Sequence, residues 1–415
     1  MKEIRNLLIP LIFSELIAGL VVPGTVHSAP SAVNPEFAGI GPPSEVPVAI
    51  QNARWAMLDP GINVLTFRSM DTLFTTRTVA RSGPVARLPR ADHPLAFTYT
   101  FQGETYPAEA FQDRTQTNAL LLMKDGRVLY ETYRNNTDED ARFVGWSATK
   151  SFISVLIGSV LEEGRIRSLD DEITAYLPEL KGGGYDGVTV RQILMMRSGV
   201  DYEERYDFQN PGTAATNHIL ALVKNVARFA DVARTIPRLH PPGEVFAYKT
   251  LDTAILGWLI ERVSGGSLSA YMTERLWEPL GAEADGFFIM DGPPGIGREF
   301  SGAGFNGTLR DFARFGQMML NGGRINGHQI VSSDWVNEST RSTGPVDPVR
   351  GGYGYHWWTM ADGHAYAAIG LQGQFIYIDP ATRTVIVKFS YFPPGDESGH
   401  EESLAFFAAA SAWRP

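Results

Sequence analysis

The chain contains no cysteine. Disulfides, thiol nucleophiles and thiolate-held metals are therefore excluded. It also lacks any run crowded with lysine and arginine. Its 36 basic residues face 46 acidic ones, for a formal net charge of −10, so no basic stripe for nucleic acid is expected. The eight histidines never fall in His-x-His or His-Glu-x-x-His spacing, and neither a metal nor another cofactor is expected. Gly182-Gly183-Gly184 is not followed by Lys-Ser or Lys-Thr, which makes it a loop rather than a phosphate cradle. Beyond the N-terminal segment no apolar run is long enough to span a bilayer.

That N-terminal segment combines a basic start (Lys2, Arg5), a mostly apolar stretch from Leu7 to Val22 and small residues at Ser28 and Ala29. This is the layout of a secretory signal peptide over residues 1–28, so an exported protein, periplasmic or secreted, is expected, with no stable span left after processing. Glu15 and Pro10 interrupt the apolar stretch; an ordinary N-terminal helix is the plainer alternative, and an uncleaved anchor, for which the run is short, is the other. Residues 29–50, rich in Pro, Gly and Ala, have the composition of an extended linker. The folded domain then runs over 51–415.

In "TNALLLMKDGRVLYETY", Thr117–Tyr133, two β-rich runs flank Asp125-Gly126, a strong hairpin signal. "GQFIYIDPATRTVIVKFS" repeats the scheme near the C-terminus, and "HEESLAFFAAASAW" has helical character. Strands thus bracket a helix-rich middle. The expected fold class is α/β (α+β): an antiparallel sheet flanked by helices, with a helical region inserted over roughly 165–300.

The chemistry concentrates in "GWSATKSFISVLIGSVLEEGRI". Ser147 and Lys150 are three apart and share a helix face if a helix begins near Trp146. The run that follows is apolar on every side, as in a buried helix, and Gly164 is a natural stop. A serine on a first helical turn meets free N–H groups and the positive end of the dipole. A desolvated lysine beside it has a lowered pKa and can take its proton. The plain reading is that Ser147 caps the helix and Lys150 snorkels to water. No other serine in the chain has a lysine three positions on. Tyr248, just ahead of the apolar run "DTAILGWLIERVSG", is a candidate proton relay; a half-buried aromatic anchor is the alternative. His356, between aromatics in "GYGYHWW", reads as core or pocket wall, Trp357 and Trp358 as packing, with one of them facing a cleft as the alternative, and His400-Glu401 as surface.

Taken together, "SATKSFISVLIGSVLEEGRI", "VDYEERYD", "GWLIERVSG", "GFNGTLRDFARFGQMMLNGG" and "GYGYHWW" resemble the serine hydrolases of the β-lactamase-like fold. Class C β-lactamases, penicillin-binding peptidases, esterases and 6-aminohexanoate-dimer hydrolases belong to this family, and the resemblance is strongest to the last branch. It extends from about Asn52 to Ser390. It implies that Ser147 is acylated, Lys150 is its base and Tyr248 completes the proton network. It further implies an oxyanion hole of the Ser147 and Leu371 amides, with Tyr206 and Gly370 contacting substrate. The implied activity is hydrolysis of a small-molecule ester or amide through an acyl-enzyme.

Two departures bear on the substrate. The family's Tyr-x-Asn reads Tyr248-Lys249-Thr250, and its Lys-Thr-Gly aligns with Ala368-Ile369-Gly370. Alanine offers no charge to a β-lactam carboxylate, a contact worth about 1.5–3 kcal/mol. A carboxylesterase or linear amidase is therefore expected. A β-lactamase or D-alanyl-D-alanine carboxypeptidase is the alternative, and a non-catalytic peptide- or cell-wall-binding protein is the alternative of another class.

Overall fold

The computed structural model describes residues 32–206, 210–344 and 351–415. The expected signal peptide, residues 1–28, lies outside them. Among the described residues no helix is long and apolar enough to cross a membrane.

The scaffold is a seven-stranded antiparallel sheet. Its strands are β1 (Thr117–Lys124), β2 (Arg127–Tyr133), β3 (Gly352–Tyr353), β4 (Trp358–Thr359), β5 (Tyr366–Gly370), β6 (Gln374–Asp379) and β7 (Thr384–Ser390), in the spatial order β3-β4-β5-β6-β7-β1-β2. Lys124 pairs with Arg127 across a two-residue loop. Asp125 and Gly126 both have positive φ, 49° and 75°, as a type I′ turn requires. At the other hairpin the Asp379 carboxylate accepts from the amides of Ala381 and Thr382 at 2.9 and 3.3 Å, closing an Asx turn.

β1 is buried along its whole length. Its side chains alternate, so two separate cores form, one on each face of the sheet. Leu121 and Met123 join Ile376, Val385 and Val387 in the larger core, with helices α1 (Thr149–Glu162) and α3 (Leu309–Leu320). Leu120 and Leu122 join Phe375, Ile386, Phe406 and Phe407 under the C-terminal helix α4 (Glu397–Ala412). Helix α2 (Thr250–Ser264) lies against α1 within the larger core.

Two boundaries differ from expectation. The region expected to be helical contains a strand, Gly286–Ile289. It belongs to a second, four-stranded sheet with Thr76–Val79, Phe305–Gly307 and Phe143–Val144. The stretch read as linker carries a short helix, Pro35–Ala38, capped by the Asn34 side chain. Phe37 from that helix is buried against Ile219 and Val223. Burying a Phe side chain is worth about 1.5–3 kcal/mol, and the segment is held further by Ile40, whose carbonyl accepts from Lys224 Nζ at 2.6 Å.

Candidate active site

The edge strand Phe143–Val144 of the smaller sheet leads into the turn that bears Ser147. Gly145 donates its amide to the Phe305 carbonyl at 2.8 Å. Trp146 then adopts φ 45°, a left-handed conformation that costs a bulky residue about 1–3 kcal/mol. Packing holds it there: its ring is buried and meets Phe67 edge-on, centroids 5.4 Å apart. Ser147 follows in a single 3₁₀ turn, and α1 starts at Thr149. Every residue of α1 from Thr149 to Val160 is buried, as its all-round apolar sequence requires. Gly158 sits under Trp335, where a Cβ would lie 2.7 Å from the indole.

Lys150 is 1% exposed. Its Nζ lies 3.1 Å from Ser147 Oγ, 3.2 Å from Thr250 Oγ1 and 2.8 Å from the Gly302 carbonyl. Burial pushes the ammonium down to about 8, with the Glu204 carboxylate pulling the other way. The Tyr248 ring centroid lies 4.9 Å from Nζ. Burial raises the Tyr248 phenol, while its hydrogen bond with Ser147 draws it down. Thus three side chains named from the sequence, Ser147, Lys150 and Tyr248, meet in one place.

Ser147 and Tyr248 open into a cleft of about 580 Å³. The β5–β6 hairpin also walls it, with Gly370 and Leu371 both in the lining. Gly370 packs so close to the Ser147 turn that a Cβ there would come 2.2 Å from the Gly145 carbonyl. No other residue fits at that approach without displacing backbone. The hairpin loop is tied down from behind. Buried Gln374 donates through Nε2 toward the carbonyls of Leu371, Gln372 and Ser390 at 3.2, 3.1 and 2.9 Å, and its Oε1 accepts from the Ser390 amide at 3.2 Å.

Not every residue named from the sequence lies in this cleft. Tyr206 is absent from the lining of this cleft; its hydroxyl donates to Glu204 Oε1 at 2.7 Å. Ala368 is buried in the core toward α1, and its neighbour Ile369, on the opposite side of the strand, reaches the cleft instead. His400 and the exposed Glu401 are among the residues lining the cleft from α4, and Trp358 also faces it. His356 is 2% exposed and shares a hydrogen bond of 3.1 Å between its Nε2 and Thr253 Oγ1, so it belongs to the core.

Sequence reasoning missed Glu204. Its Oε1 accepts from Thr250 Oγ1 at 2.5 Å and its Oε2 from the Thr250 amide at 2.9 Å. It thereby caps α2, whose own N-cap residue, Lys249, makes no side-chain cap. The signal was faint: Glu204 lies in the quoted "VDYEERYD", and Thr250 is the third residue of the Tyr-x-Asn position. Gln374 had no signal beyond its place after the hairpin.

The β-lactamase family profile matches residues 104–410. The chain belongs to the β-lactamase family. It is 33% identical over 350 residues to the 6-aminohexanoate-dimer hydrolase of Paenarthrobacter ureafaciens, covering 80% of this chain and 86% of that one. Among solved structures it is similar to one titled "Putative 6-aminohexanoate-dimer hydrolase from Bacillus anthracis", with a TM-score of 0.75 and 27% identity over 86% of this chain and 95% of that one. It also shares its fold with EstCE1, a hydrolase with promiscuous acyltransferase activity, at a TM-score of 0.57 and 16% identity over 73% of this chain and 97% of that one. The chain is a serine hydrolase of this family, and its candidate site is where Ser147 and Tyr248 face one cleft with the buried Lys150 behind them.

Proposed function

We propose that this chain hydrolyses a carboxylic ester or linear amide through an acyl-enzyme on Ser147. The observation that carries this reading is the 3.1 Å contact between buried Lys150 Nζ and Ser147 Oγ at the cleft wall. Ser147 Oγ attacks the carbonyl carbon and its proton passes to Lys150. The developing oxyanion is held by the Ser147 and Leu371 amides, a contribution typically worth about 2.7–4 kcal/mol per donor. The C–O or C–N bond then breaks, and the leaving group takes a proton relayed through Tyr248. Water attacks the acyl ester, the carboxylic acid departs and Ser147 regains its proton.

The cleft favours a carbon-rich substrate without negative charge, since Asp396, Glu397 and Glu401 line one part of it. Leu58, Trp358, Met360, Ile369 and Phe392 line it, and no lysine or arginine is among its lining residues. A β-lactam carboxylate would find no cationic partner there, which disfavours the β-lactamase reading.

The test is hydrolysis of the linear 6-aminohexanoate dimer and of short-chain aryl esters, with Ser147→Ala as control. Serine-dependent cleavage of the dimer supports an amidase, and cleavage of aryl esters alone a carboxylesterase. Hydrolysis of nitrocefin at a rate matching the best ester would overturn this substrate assignment.

A further inference from the structure

A neutral lysine has two N–H bonds and one lone pair, and a base must aim that lone pair at the proton it takes. Lys150 has three close neighbours. The Gly302 carbonyl, at 2.8 Å, can only accept. The Thr250 hydroxyl, at 3.2 Å, could accept or donate. If it donated, it would occupy the lone pair and leave Ser147 facing an N–H.

Glu204 decides between these. A carboxylate only accepts, so the Thr250 hydroxyl hydrogen goes to Glu204 Oε1, 2.5 Å away. The Thr250 amide on Oε2 and the Tyr206 hydroxyl on Oε1, at 2.9 and 2.7 Å, hold the carboxylate in register. Thr250 must then accept from Lys150. With both lysine hydrogens committed to Thr250 and Gly302, the lone pair is left for Ser147.

We propose that Glu204 is a positioning residue of this hydrolase: it takes the Thr250 proton and so aims the Lys150 lone pair at Ser147. The inference rests on the reading of Lys150 as base. Glu204 acts on Lys150 in a second way, because its charge favours the protonated ammonium. The other groups facing Lys150 are the Tyr248 ring and His356, whose imidazole is kept neutral by burial and by Lys150 itself.

The experiment is the pH profile of kcat/KM on whichever substrate the parent turns over best, for Glu204→Gln, Thr250→Val and Thr250→Ser, with melting temperatures measured alongside. In Glu204→Gln the amide can donate to Thr250 and reverse the hydroxyl. The plateau rate should fall about 10²-fold, the scale of a general base's contribution, and loss of the negative charge should move the acid limb to lower pH. A residue that merely caps α2 would lower the melting temperature without moving the limb. Thr250→Val should lose the plateau similarly and Thr250→Ser should restore most of it. A parent-like plateau and acid limb in Glu204→Gln would overturn the proposal. Should that variant fail to fold, a parent-like plateau in Thr250→Val would do so. Ser147→Ala and Lys150→Ala serve as references. If both are inactive, either result removes Glu204 alone; if Lys150→Ala retains turnover, it is the reading of the base that fails.

Discussion

Two buried lysines of this protein each touch a serine hydroxyl, yet only one of those hydroxyls opens on a cleft. Lys150 lies beside Ser147 where α1 begins, and Lys388 lies beside Ser390 at the end of β7. Both lysines are at most 1% exposed, and burial pushes both ammonium groups down. Ser147 faces the cleft. Ser390 is 1% exposed, and its lysine is closed in by aromatic rings, with the Phe392 centroid 4.4 Å from Nζ. Lys388 also donates to the Thr115 carbonyl at 3.3 Å. A dry amine beside a hydroxyl is therefore a structural device by default. It becomes a candidate nucleophile pair when the hydroxyl opens on a cavity, a phenol and a second backbone segment face the same opening, and the amine's hydrogens are spoken for.

The largest expected effect separates the two serines. Ser147→Ala should cut turnover by about 10⁴-fold or more and leave the melting temperature near that of the parent. Ser390→Ala should keep turnover within about twofold while lowering stability, since it strips an acceptor from a buried donor, at a cost of about 1–3 kcal/mol. Kinetics and melting curves on the two variants would undo the comparison if the losses were exchanged or equal.

The next effect sharpens the comparison through pH. A base must be neutral, and Lys150 is held at about 8. Activity should therefore rise with pH, about tenfold per unit below 8, and level off above it. A profile of kcat/KM already flat from pH 6 upward would contradict Lys150 as the titrating base.

The smallest effect belongs to Lys388. Its proton affinity in the fold is well below the ordinary 10.5, because burial disfavours the charge. Between pH 10.5 and the lowered folded value the unfolded chain binds more protons than the folded one, so this lysine costs stability increasingly as pH falls. Lys388→Met removes that cost. Its melting temperature should gain on the parent's by roughly 1–3 °C on going from pH 10 to pH 7, with turnover unchanged. A gap that stays constant across this range would show that Lys388 does not titrate with the fold.

Much of this architecture was legible in the chain. Asp125-Gly126 marked its hairpin because the turn needs positive φ at both positions. The all-round apolar run after Ser147 marked a buried helix and set Ser147 and Lys150 on one face. The doubly buried strand β1 could also be seen as apolar, but not which side chains went to which core. His400 and Glu401 read as surface residues near a chain end, and Glu401 is exposed; that both also line the cleft follows only from the packing of α4 against the sheet.

What the sequence determined by itself was local. Ser147 and Lys150 are three residues apart, and a helical backbone alone brings them together. What only the tertiary structure decided was what surrounds them. Thr250 reaches Lys150 across 100 residues, Gly302 across 152, and Glu204 reaches Thr250 across 46. Gly370 comes to the Ser147 turn from the far end of the chain. Helical periodicity can be read over one turn because backbone geometry enforces it. The direction of a proton in a buried network depends on partners that meet only when separate elements pack, and no local rule carries that information.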